Sequence, residues 1–111
     1  MTQYKLIDTD ANPSGTSLKG HIEANYHDLV EVFGEPKFMG DRDGFSDKVW
    51  TEWSLEFENE EGDMIISTIY DWKEQGPFVS REAAKYRWHI GGNHMESSWA
   101  VDEYFKEKMN A

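Results

Sequence analysis

A chain of 111 residues is long enough for one hydrophobic core and short for two, and its 22 acidic against 11 basic side chains, a net charge of -11, disfavour direct contact with nucleic-acid backbones or anionic lipid. The lack of cysteine excludes disulfides, thiolate metal sites and a cysteine nucleophile. The 38% apolar fraction is low, but five Trp, five Tyr and six Phe let rings carry much of the burial.

The opening MTQYKLIDTD has no basic region followed by an apolar run, and no later stretch approaches the ~20 apolar residues of a membrane span. A soluble, unexported domain is expected, with YKLID as a short N-terminal strand or arm docked through Tyr4, Leu6 and Ile7. ANPSGTS supplies turn formers. From Leu18 through Ile22, Tyr26, Leu29, Val30 and Phe33 the apolar spacings of three and four predict a helix. Thr16 or Ser17 would cap it, and Gly34-Glu35-Pro36 would end it. Gly20 fits poorly, costing about 1 kcal/mol against Ala in a helical turn.

Lys37 to Asp47 reads as a mobile loop, with a short strand at Phe38-Met39. Val49, Thr51, Trp53, Leu55 and Phe57 then occupy one parity, and Trp50, Glu52, Ser54, Glu56 and Glu58 the other, as a half-buried strand requires. Asn59 to Asp63 turns the chain into a returning strand, Met64 to Trp72, in which MII breaks strict alternation and leaves the register, or a bulge, open. Ser80 to Ala83 allows a helical turn, and Ala84 to Ile90 a third strand. After Gly91-Gly92, Asn93 with Glu96 forms a capping box for a C-terminal helix whose core stripe is Met95, Trp99, Phe105 and Met109, widened by Ala100 and Val101. The expected fold is a single compact α+β domain over residues 1–111: a short N-terminal arm or extra strand, a helix, a three-stranded antiparallel meander and a C-terminal helix. One sheet face is expected to stay open to solvent.

Between Asp41 and Glu74, eleven acids face three bases, so most of the imbalance lies in the sheet-forming middle. Glu52, Glu56 and Glu58 share a strand parity that repeats about every 7 Å, close to every second phosphate of a nucleic-acid strand at about 3.4 Å per nucleotide. A solvated polar face explains such a row without any partner. Trp50 and Trp72 beside it could add an aromatic anchor or simply pack.

Catalytic and metal patterns are weak. Asp41, Asp43 and Asp47 miss the EF-hand register, because Phe45 stands at position five and glycine at four. None of His21, His27, His89 and His94 forms an H-E-x-x-H pair. Ser80, Ser97 and Ser98 lack a nucleophile-elbow context, and HIGGNH lacks the phosphate-loop lysine. No catalytic, metal or cofactor residue is assigned, and a non-enzyme is favoured.

The segments Phe33-Gly34-Glu35-Pro36, Glu52-Trp53 through Phe57, Thr68 to Glu74 (TIYDWKE) and Trp88 to Gly92 (WHIGG) together resemble a family of small, mostly uncharacterised proteins of tailed bacteriophages. The resemblance runs from Leu18 to about Trp99 and brings no catalytic residue with it. It implies a viral protein in a host bacterial cytoplasm, an anti-defence inhibitor that imitates nucleic acid. The expected partner is a basic nucleic-acid-processing or defence protein of the host, with no direct nucleic-acid or membrane contact and with a homodimer allowed. The expected binding residues are Trp50, Glu52, Glu56, Glu58, Glu60, Glu61, Asp63 and Trp72. One alternative is a ligand- or metal-binding accessory enzyme joining His89, His94 and the Tyr70-Asp71-Trp72 strand; another is a virion assembly or scaffolding protein with ring-rich strands at a subunit interface.

Overall fold

The computed structural model describes residues 3–39 and 49–110. In chain order it contains strand β1 (Lys5–Asp8), strand β2 (Ser17–Ala24), helix α1 (Tyr26–Phe33), strand β3 (Phe38–Met39), strand β4 (Thr51–Glu58), strand β5 (Met64–Tyr70), helix α2 (Pro77–Glu82), strand β6 (Tyr86–Gly92) and helix α3 (Ser97–Met109). The Asp41, Asp43 and Asp47 segment weighed for calcium lies outside the described residues.

The three-stranded meander is corrected to an open six-stranded antiparallel sheet in the order β1-β4-β5-β6-β2, with β3 pairing β4 beside β1. The difference arises mainly at Ser17–Ala24, expected as helix and found as an eight-residue strand. Leu18 and Ile22 match a helical stripe, but Gly20, Ile22 and Ala24 also match a two-residue period. Ile22 and Ala24 are buried while His21 and Glu23 stay exposed. Gly20 resolves the ambiguity: it is a poor helix residue, and in the strand it lies where a Cβ would come 3.0 Å from the Ser98 Cβ. The helix starts after Asn25, whose side chain accepts from the His27 N–H at 2.8 Å. It ends as expected at Gly34, whose φ of 86° and bond to the Val30 carbonyl suit glycine.

The alternation of β4 holds. Trp53, Leu55 and Phe57 are buried on the face covered by α1 and α3, each worth about 2–3 kcal/mol in area removed from water. Phe33 packs edge-on against Phe57 and stacked on Tyr104, and the Trp53 indole donates to the Gly34 carbonyl at 2.8 Å. The register left open at MII is regular: pairing runs without a shift from Glu58–Met64 to Glu52–Tyr70. The irregularities fall in β1, between Leu6 and Asp8, and in β2, between Leu18 and Gly20.

The C-terminal helix exists with a different cap; Ala100 and Val101 lie on its buried side as expected and Phe105 packs against the core, but Met95, Trp99 and Met109 do not turn inward. It begins at Ser97, and Asn93 instead accepts from the Ile66 N–H at 3.0 Å. Ser97 donates to the Ile66 carbonyl at 2.8 Å and the Ser67 hydroxyl donates to the Ser97 carbonyl at 2.9 Å, clamping the helix start to β5. Small Ser97, Ala100 and Val101 form the buried side. Close approach over Gly20 and Gly92 fixes the helix rotation, so Trp99 and Met95 point outward at 54% and 74% exposure.

The link from β1 to β2 spans residues 9–16 and joins opposite edges of the sheet. Four strand spacings of about 4.8 Å make roughly 19 Å, and eight residues reach about 27 Å at most, so the link crosses with little slack, turning once at Pro13 to Thr16. Ala11 donates to the Ser54 carbonyl at 3.2 Å and accepts from the Ser54 hydroxyl at 2.7 Å, which places the crossing on the helix-free face. Beneath it lie Ser54, Thr68 and Gly91, a cross-strand row of small buried residues.

Candidate functional site

The crossing link divides the helix-free face into two regions. On one side, β4 and β5 run into the hairpin turn. Asn59 holds the turn by accepting from the N–H groups of Glu61 at 3.1 Å and Asp63 at 2.8 Å, and Gly62 takes the left-handed conformation the reversal needs, with φ of 86°. Glu60, Glu61 and Asp63 are exposed, and Glu56 and Glu58 are half-buried beside them. Across the strand edge Glu56 faces another acid, Asp8, while Glu58 faces Lys5. Among the described residues, no lysine or arginine forms an ion pair with any of these five expected carboxylates.

Glu52 does not join them. Ser54 and the crossing link lie between Glu52 and Glu56, so the three glutamates of one parity do not form one continuous row. Glu52 belongs instead to a second row that crosses five strands: Phe38, Glu52, Tyr70, His89 and His21. Tyr70 stacks on His89 with ring centroids 5.5 Å apart, and His21 meets the other side of His89 edge-on at 4.7 Å. Trp72, 37% exposed, lies 6.1 Å from Tyr70 and 6.4 Å from His89.

Burial raises the Glu52 pKa, opposed by Lys37 and reinforced by Asp71. It also raises that of Tyr70, with Glu52 adding to the effect. Burial first, and then Arg87, lowers His21. His89 is lowered by burial, His21 and Arg87, against the opposing fields of Glu74 and Asp71. Both imidazoles therefore favour the neutral form. The Lys37 ammonium donates to the Ala11 carbonyl at 2.7 Å and pairs with Asp10 at 3.3 Å, so it tethers the crossing link, and Glu52 has no ion pair among the described residues.

The other expected residues make hydrogen bonds within the chain. Trp50 is half-buried, its indole donating to the Glu74 carbonyl at 3.0 Å. Asp71, in the middle of TIYDWKE, is fully buried. It accepts from the N–H groups of Trp50 at 2.7 Å and Thr51 at 3.1 Å and from the Ser80 hydroxyl at 2.8 Å. The Tyr86 hydroxyl donates to Glu74. Of the proposed enzymatic set, His89 does meet Tyr70 and Trp72, but Asp71 is turned inward and His94 accepts from the Glu96 N–H at the start of α3. No three His, Asp or Glu side chains among the described residues converge as a metal-ligand group.

Sequence reasoning missed His21 and the row itself. The polar parity of β4 pointed at Glu52, but His21 and His89 become neighbours only through β2–β6 pairing, which a helical reading of residues 17–24 conceals. In comparisons with protein-family models, curated proteins and solved structures, the chain matches none.

Proposed function

We propose that this is an acidic, non-enzymatic interaction protein that engages a basic surface on another protein through the β4–β5 hairpin end of its sheet. The observation that carries the reading is the set Glu56, Glu58, Glu60, Glu61 and Asp63, held by a hydrogen-bonded turn and not ion-paired by the chain's own described lysines and arginines. Uncompensated charge of one sign at one end of a domain steers a cationic partner and raises the association rate. Glu56 and Glu58 keep the roughly 7 Å step of alternate strand residues, the dimension on which imitation of a phosphate row rests. The phage resemblance supports a nucleic-acid-processing or defence protein of an infected bacterial cell as the partner, met in the host cytoplasm. No helix among the described residues is long and apolar enough to cross a membrane.

The test is capture of bacterial proteins on the immobilised chain, with elution by salt and by double-stranded DNA, repeated with Glu56→Lys, Glu58→Lys and Glu61→Lys combined. A basic nucleic-acid-binding protein released by salt and DNA, and lost with the triple variant, is expected. Capture indifferent to salt, DNA and charge reversal overturns the reading.

A further inference from the structure

Within this reading, we propose that Glu52, Tyr70 and Trp72 form a receptor for a guanidinium group, so that the basic partner inserts an arginine side chain at the end of the sheet away from the hairpin.

Glu52 is a half-buried carboxylate with no hydrogen bond or ion pair among the described residues, on a face that its own chain could have neutralised. Removing a carboxylate from water without a partner is costly, and Lys37, the described base whose field reaches it, is engaged by Ala11 and Asp10. Next to the carboxylate stand rings rather than further charges. Tyr70 is its direct cross-strand neighbour, and Trp72 meets Tyr70 edge-on and is tilted against His89.

A carboxylate flanked by π faces complements a cation that is itself planar and weakly hydrated. A guanidinium can bond the carboxylate through two N–H groups while stacking on a ring, which an ammonium cannot. The Trp72 ring already has the Lys73 ammonium 5.8 Å from its centroid, an internal sign that this face accepts positive charge. Lys73 is also the one non-glycine with positive φ among the described residues, at 56°. A long side chain held in that sparsely populated region fixes the direction of the Trp72–Lys73 corner at a local conformational cost.

Other occupants fit worse. A phosphate or nucleobase-phosphate would meet Glu52 and the net charge of -11, and a metal ion would find no three-donor group among the described residues. A neutral aromatic ligand would leave Glu52 unpaired.

The experiment uses the whole chain and two probes of equal length and charge, nona-arginine amide and nona-lysine amide, by calorimetry at about 150 mM salt, where exposed charges are substantially screened. The wild-type chain is expected to prefer the arginine probe by about ten-fold, the scale of one desolvated cation–π contact. Glu52→Gln and, separately, Trp72→Ala should bring the two affinities within about three-fold of each other, with circular dichroism verifying the fold. Glu58→Gln with Glu61→Gln should weaken both probes together and leave the ratio intact. An arginine preference unchanged by Glu52→Gln, or none in the wild-type chain, overturns the receptor. Affinities for both probes that ignore Glu58→Gln with Glu61→Gln overturn the hairpin reading instead.

Discussion

Truncating Asp71 to alanine tests whether the centre of TIYDWKE is a structural fastening. The Asp71 carboxyl group collects the Trp50 and Thr51 N–H groups at 2.7 and 3.1 Å and the Ser80 hydroxyl at 2.8 Å, with no exposure of its own. In Asp71→Ala the Ser80 hydroxyl can turn to the Pro77 carbonyl, already 3.4 Å away, but the Thr51 N–H stays sealed and the Trp50 N–H only partly reaches water. Each stranded buried donor costs about 1–3 kcal/mol, so a loss of about 3 kcal/mol is expected. Against a total of about 5–15 kcal/mol for a domain this is a large share. At about 2.1 cal/mol/K of unfolding entropy per residue it lowers Tm by about 13 °C for this length. Asp71→Asn keeps one carbonyl oxygen for both N–H groups and offers Ser80 an N–H in place of an acceptor, so it should lose only about 1 kcal/mol. Urea unfolding followed by tryptophan fluorescence gives the stability, and hydrogen exchange at Thr51 gives the local effect. If Asp71→Ala lost under about 1 kcal/mol, or Asp71→Asn lost as much as the alanine variant, the fastening would not be what holds the start of β4.

Gly92→Ala should lose about 2–3 kcal/mol in the same assay, because the new Cβ would sit 2.1 Å from the Ser97 Oγ and 2.7 Å from the Ile66 carbonyl oxygen, in the clamp that seats α3; a change below about 0.5 kcal/mol would show that the clamp yields freely. The row of Glu52, Tyr70, His89 and His21, a shelf on the helix-free face, also makes stability depend on pH in two opposing ways. A carboxyl whose folded pKa is raised above its model value of 4.5 binds its proton better in the folded state, so the Glu52 contribution is favourable below that value and is lost as pH rises through the folded pKa. Imidazoles lowered from 6.5 behave oppositely: the contribution of His21 and His89 is complete above 6.5 and is lost as pH falls through their folded values. Melting curves from pH 4 to 8 should therefore show Glu52→Gln raising Tm chiefly at the neutral end, with the paired substitutions His21→Asn and His89→Asn reducing the decline below 6.5. Curves parallel to wild type would remove the shelf from the pH dependence.

What the sequence by itself determined was local. The alternation of Thr51 to Glu58, the Asn59 to Asp63 turn, the stop at Gly34 and the short strands near Tyr4 and Phe38 each follow from neighbours within a few residues, where side-chain parity and turn chemistry decide the outcome. It also settled which residues of β4 face the core, and with them the parity of Glu52, Glu56 and Glu58. Tertiary structure decided the rest. Whether Ser17 to Ala24 coils or extends depends on β6 being there to pair, since its apolar spacing satisfies both periods. Which side of α3 turns inward depends on how closely Ser97 and Ala100 can approach Gly20 and Gly92, and that outweighed the size of Trp99. The row from Phe38 to His21 gathers residues from five strands, and the link that cuts Glu52 off from Glu56 is distant from both in the chain. Hydrogen-bonded register and close packing, acting between segments distant in sequence, place these groups together.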